Sequence, residues 1–286
     1  MYARCIKYNS PGLLTEFLSS GEFKNKLYES IAVAKDEMDE AKRWQTLVER
    51  GDLEGALTSI GREIARSPND GLLYRERAHL HLYLGQTQRA RSDFDVTARI
   101  EADMSPTPRG QLHSNLELDA IGVTYWMEEH RELAIAFWRY TTRMLATNRV
   151  SYAQMGGGIE SGLLLWFGAV HERDVDDIDL VRLLYEKRLA SKFWSHGLTR
   201  WPGPIVRFFL NQCDADALVE DASGEPQRLC EAHFALAARA REQRRHAAYR
   251  RHLKLAAPST GAKAIYDFYN VLPYFVARFE LEKRSR

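Results

Sequence analysis

Apolar residues recur along this chain at the three-to-four spacing of helix faces, and the alternation that marks strands is nearly absent. "DDIDLVRLLYEKRLASKF" and "YAQMGGGIESGLLLWFGAV" each read as one helix, and "AIYDFYNVLPYFVARFELEK" closes the chain in the same pattern. Proline and glycine fall mostly between such stretches, at 67–71, 105–110 and 201–204. The pattern therefore predicts an all-α protein of helix pairs divided by short turns. The longest apolar run, Gly162–Val170, reaches about 14 Å as a helix, half of a bilayer core. It reads as buried core, and no membrane span is expected.

Regular helix pairs invite a search for internal repeats. In "GDLEGALTSIGREIARSPND", residues 51–70, Gly51-Asp52 reads as an inter-helix turn, Ala56 as a small packing residue and Pro68 as the stop before the next unit. These features resemble the second helix of a tetratricopeptide repeat. With Ala56 at position 20, the first frame is 37–70. A second, 71–104, carries Tyr74, Ala78, Gly85, Ala90 and Phe94 at positions 4, 8, 15, 20 and 24. A third, 115–148, carries Leu118, Ile121-Gly122, Tyr125, Ala134 and Trp138 at positions 4, 7–8, 11, 20 and 24. Small residues at 8 and 20 let the two helices of a unit approach, and large ones at 4, 11 and 24 fill the space between units, so stacking is obligatory. Trp44 departs from the pattern, standing where the first frame wants a small residue. The expected fold is a right-handed α-solenoid of this repeat type, with residues 1–36 an amphipathic helical extension that either caps the stack or fills its groove in cis. A degenerate helix pair is expected over 149–200, and an elbow with further repeat-like helices over 201–286.

The elbow is "WPGPIVRFFL". Pro204 suits the first turn of a short helix, Gly203 frees the backbone, and Asp214 or Asp216 can cap "ADALVEDA". With "EAHFALAARAREQRRHAAYRRHLKLA" after it, this part resembles the carboxy-terminal region of bacterial NlpI-like tetratricopeptide proteins, over roughly 37–280 with the upstream frames. The resemblance implies a solenoid that binds other proteins. That family's lipoprotein signal has no counterpart here.

Composition adds bounds. The 286 residues are 45% hydrophobic and 28% charged, enough to bury a core and remain in solution. A net charge of +1 supplies no global field for nucleic acid or an anionic membrane. Cys5, Cys213 and Cys230 lie too far apart for a disulfide framework or a metal motif, which fits a reducing cytoplasm. No cofactor is implied.

The concave face of such a solenoid is lined by first-helix positions 2, 5, 6, 9, 12 and 13. Here these include Arg75, Glu76, His79 and Tyr83 in the second frame, Asp119, Val123, Trp126 and Met127 in the third, and Lys42, Gln45 and Glu49 in the first. The mixture of apolar, aromatic and charged groups suits a protein or peptide groove, with Trp126, Tyr83 and Arg75 as anchors. Trp126 alternatively packs against a neighbouring helix. The Lys/Asn/Arg set that clamps a partner's terminal carboxylate in some such repeats is absent from the first frame.

Residues 239–254 concentrate six arginines; Arg241, Arg244, Arg245, Arg250 and Arg251 form a basic ridge that suits an acidic partner or phosphates, although a solvated outer face is the plainer reading. The aspartates of "HERDVDDIDL" read as helix-start caps, since the glycine turn and bidentate acid of a calcium loop are missing. "GGGIESG" lacks the Lys-Ser/Thr of a phosphate loop and reads as close helix packing. No Ser-His-Asp, Cys-His or zinc-helix set can be assembled from the histidines. The expectation is a cytoplasmic, non-enzymatic scaffold or adaptor that binds a partner in its concave groove. An inhibitor that masks a bacterial toxin is the alternative, and a nucleic-acid binder or an enzyme is further from the pattern. Oligomeric state stays open.

Overall fold

In a computed structural model, the described residues are 43–104, 110–147, 158–191, 198–258, 268 and 271–283. They are all-α, with thirteen helices and no strand among them. The expected extension 1–36, the start of the first frame and Lys42 lie outside them.

The helices follow the predicted punctuation. α1 (Arg43–Glu49) and α2 (Leu53–Arg66) are separated by Gly51 at φ +78° and by Asp52, whose carboxylate accepts the Gly55 N–H at 2.9 Å. α3 (Gly71–Tyr83) starts at Asp70, which caps Leu72, and Gly85 at φ +71° turns the chain into α4 (Thr87–Met104). α5 (Gly110–Met127) and α6 (Arg131–Ala146) follow, then α7 (Ile159–Glu172) and α8 (Val175–Ala190). Asp174 caps α8 by accepting from Asp177 N–H at 3.1 Å, and Asp177 itself holds Arg139 of α6. Two of the 171–180 aspartates thus secure a helix start and a neighbouring helix.

The small residues sit where helices approach most closely: Ala56, Ala78, Ala90 and Ala134 are fully buried. Phe94 and Trp138 are buried as the large fillers. Gly122 lies flush against Trp138; a Cβ there would fall 2.4 Å from the indole nitrogen, which donates to the Asp119 carbonyl at 3.0 Å. Close packing also accounts for the glycines of "GGGIESG" that are described, Gly158 against Leu145 and Gly162 against the Tyr185 ring. α7 is buried from Ile159 through Val170 apart from half-buried Glu160, because it packs against α6, α8 and α11 and has no solvent side.

The elbow is a clamp. A Cβ on Gly203 would lie 1.8 Å from the Leu198 carbonyl oxygen, so only glycine lets these two backbone segments meet. Pro204 occupies the first turn of α9 (Gly203–Phe209). α10 (Ala215–Ala222) starts on Asp214, which accepts from Ala217 N–H at 2.9 Å. Trp201, after which the peptide to Pro202 is cis, donates its indole N–H to Glu231 on α11 (Pro226–Glu242) at 2.7 Å. Phe209 packs at a tilt against Trp166 of α7, and Arg239 of α11 donates to the Phe208 and Phe209 carbonyls.

Helices pack mostly with their sequence neighbours. Two contacts depart from this: α7 also packs on α11, and the last helix returns towards the middle of the chain. α12 (His246–Ala256) pairs with α11, and α13 (Leu272–Lys283) lies on α11 and α12 and also returns to α5. One core cluster runs from α3 to α13; a second joins Trp44, Val48, Leu53, Ala56, Ile60 and Ile64 of α1 and α2 to Leu80 of α3. Trp44, too large for its repeat position, is accommodated as a centre of that smaller cluster.

Candidate functional site

The expected groove is largely occupied. α13 carries Tyr274, Phe275, Arg278 and Glu280 against the inner faces of α3 and α5. The Tyr274 ring stacks on Tyr83 at 6.1 Å, Phe275 meets the same ring edge-on, and Arg278 lies over it while donating to the Tyr83 carbonyl at 3.1 Å. Lys283 pairs with Glu129 just beyond α5 at 2.5 Å.

Glu280 is the polar centre of this contact. It is 2% exposed, accepts from the Trp126 indole N–H at 3.2 Å and from the Tyr249 hydroxyl at 3.3 Å, and pairs with Arg131 at 3.3 Å. His171 stands 3.7 Å away, its ring held between Phe167 and the Tyr249 hydroxyl. Burial lowers the His171 pKa, against the raising effect of Glu280 beside it.

Four groove residues are corrected to core, three of them on α5. Trp126 is fully buried, ringed by Trp138, Phe167 and His171. Val123 is fully buried, and Asp119 is 2% exposed, accepting from the Thr141 and Ser161 hydroxyls. The reason is geometric: α7 packs close to α5 as well as α6, so the α5 face expected to be open faces protein. Burial raises the Asp119 pKa to about 7, against the lowering effect of the two hydroxyls. His79 is also core, 8% exposed, edge-on to Phe94, with its pKa lowered to about 3 by burial and by Arg75.

Arg75, Glu76, Tyr83 and Met127 are half-buried. Arg75 ties three helices together by pairing with Glu101 of α4 and Glu117 of α5. Burial pushes Glu117 up to about 7 even with Arg75 beside it. Gln45 and Glu49 are exposed on α1.

The basic ridge divides between two hollows. Arg244, Arg245, Arg250 and Arg251 are exposed; Arg241 is half-buried, its guanidinium 5.3 Å from the Tyr249 ring centre. One hollow, of about 410 Å³, opens between the α7–α8 turn and the α11–α12 turn, with Arg173, Arg241, Arg244 and His246 on its wall. The other, of about 580 Å³, lies between α10 and α12, with Arg245, Arg251, His252, Asp214 and Asp216 on its wall. Behind it His233 and His252 stand 3.3 Å apart, the latter lowered to about 4 by burial and by its cationic neighbours.

Sequence reasoning missed α13 as the groove's occupant, Glu280 as its anchor, and the carboxylates Glu160 and Glu231, both raised, by burial above all, with Glu160 raised further by Glu231. A usable signal existed for α13: "LPYFVARFELEK" has no clean polar face in its first two turns, as expected of a helix buried on all sides. Burial raises the thiol pKa of both Cys213 and Cys230, the setting of inert cysteines. No helix among the described residues is long and apolar enough to cross a membrane. The chain matches no known protein-family model, and no curated protein is significantly similar to it.

Proposed function

We propose that this chain is a non-enzymatic protein-interaction module, a solenoid of tetratricopeptide-like hairpins whose ligand is a helix laid across successive hairpins. The observation that supports this reading is α13. It is received by Tyr83 through ring stacking, by Arg131 and Tyr249 through Glu280, and by Glu129 through Lys283. A face that seats one helix by alternating aromatic and charged contacts has the chemistry of helix-in-groove recognition. A partner's helix exchanges with α13 on this face. It must bring apolar side chains comparable to Tyr274, Phe275 and Val276, each of which contributes roughly 1.5–3 kcal/mol on burial.

The test is capture from the source organism's lysate with the full chain, with and without a synthetic peptide spanning residues 268–286. The expected result is a captured protein that the peptide displaces, captured in greater amount by the Arg278→Ala/Lys283→Ala variant, in which α13 is held less firmly. Capture of nothing, or of proteins indifferent to the peptide, overturns the reading.

A further inference from the structure

The hollow between the α7–α8 and α11–α12 turns has features that neither packing nor helix exchange explains. Its wall carries three arginines, Arg173, Arg241 and Arg244, and none forms an ion pair among the described residues. The nearby carboxylates are engaged elsewhere. Glu242, on the wall itself, pairs with Arg239 at 3.0 Å; Asp174 and Asp177 serve Arg139; Glu172 faces Arg131 at 3.9 Å. The Nε of Arg241 is buried without a hydrogen-bond partner, which is costly for a cationic donor and calls for an acceptor. Arg173 and Arg244 sit at the ends of α7 and α11 at φ +60° and +58°, in the left-handed conformation that long side chains seldom adopt. Two turns from distant parts of the chain therefore bring three uncompensated cations to one concavity in a protein whose net charge is only +1.

The floor is apolar. Val170 and Ile178 are nearly buried there, whereas Val175, the first residue of α8, is 63% exposed at the edge. About 410 Å³ lies within the range of small-molecule sites. The geometry points to a binding site for a small organic phosphate: its phosphate oxygens accept from Arg173, Arg241 and Arg244, and its apolar body rests on Val170, Val175 and Ile178. Arginine suits this role because its planar fork presents paired donors to phosphate oxygens. This site stands apart from the face that receives α13, and the inference does not depend on helix exchange.

The test is calorimetric titration of the full chain with phenyl phosphate and, separately, with inorganic phosphate. Phenyl phosphate is expected to bind saturably and more tightly than inorganic phosphate, because only it reaches the valine–isoleucine floor. Arg173→Gly/Arg244→Gly removes two cations at positions where glycine relieves the backbone, so the fold is retained. It is expected to weaken phenyl phosphate by about tenfold or more, or 1.4 kcal/mol per tenfold. Arg173→Asn, also compatible with positive φ, gives a smaller loss. Arg250→Gln/Arg251→Gln, on the ridge outside this hollow, leaves affinity unchanged. The inference is overturned if neither ligand binds, if inorganic phosphate binds as tightly as phenyl phosphate, if the glycine variant binds like the parent, or if the 250/251 variant is the one that loses binding.

Discussion

Asp119 shows what burial does to a residue that the sequence places on an open face. Its carboxyl is enclosed by Thr141, Ser161 and the α5–α6–α7 packing, and its pKa rises to about 7 from an unfolded value of about 4. The folded state then holds a proton that the unfolded state has released, so this contribution is complete below about pH 4 and is lost as pH climbs through about 7. His79 works in the opposite direction: with its folded pKa lowered to about 3, its contribution is present above about pH 6.5 and is lost on acidification. Glu117, Glu160 and Glu231 are raised in the same sense as Asp119 and together outweigh His79, so we expect the urea midpoint of the parent to fall between pH 5 and pH 8, and Asp119→Asn to make that fall shallower, since the amide keeps the hydroxyl contacts without a titrating group. A midpoint slope identical in parent and variant would show that Asp119 is ionised in the fold. The contrast with Ala78, Ala90 and Gly122 explains what could be read beforehand. Small residues at fixed spacing report contact between adjacent helices, a local property. The burial of Asp119 and Trp126 depends on how a later hairpin approaches, and their own neighbourhood in the sequence does not carry it.

Among the elements, α13 joins parts of the chain that local pattern could not connect. Its partners lie about 150 to 195 residues away: Trp126 and Arg131 for Glu280, and Tyr83 for Arg278. The turns were legible because Asp52, Asp70, Asp174 and Asp214 each cap the helix that follows them directly. A docking site between the two ends of the chain leaves only an indirect trace, here a buried glutamate in a mostly apolar helix. Glu280→Ala removes the shared acceptor of Trp126 and Tyr249 and the counter-charge of Arg131. Breaking a buried charged contact of this kind is expected to destabilise by about 3 kcal/mol, the lower end of the usual range because Arg131 retains some access to water. Glu280→Gln keeps the shape and an acceptor and is expected to lose about half as much. Urea unfolding at pH 7 measures both. An alanine variant as stable as the parent would show that α13 is held by its aromatic contacts alone.

At the scale of the whole molecule, α13 turns a row of hairpins into a closed circuit. Without it the main long-range packing would be that of α7 on α11, and stability would be closer to a sum of local terms. With it, α3 and α5 are tied to α11 and α12, so opening any interface between them also strains the return contact. α1 and α2 lie outside this circuit. Among the described residues they join it chiefly through α3, and their apolar residues form the separate cluster around Trp44, Ala56 and Ile60. The physical consequence is unequal cooperativity: the circuit opens as a unit, whereas the α1–α2 pair can detach for the loss of a single interface. Native-state hydrogen exchange read by mass spectrometry should therefore show amides of α2 exchanging through a lower-energy opening than those of α7, which is buried from Ser161 to Val170. Glu280→Ala should bring α5, α7 and α11 closer to α2 while leaving α2 itself unchanged. If α2 proves as protected as α7, the amino-terminal pair belongs to the circuit and α13 is not what sets its limit.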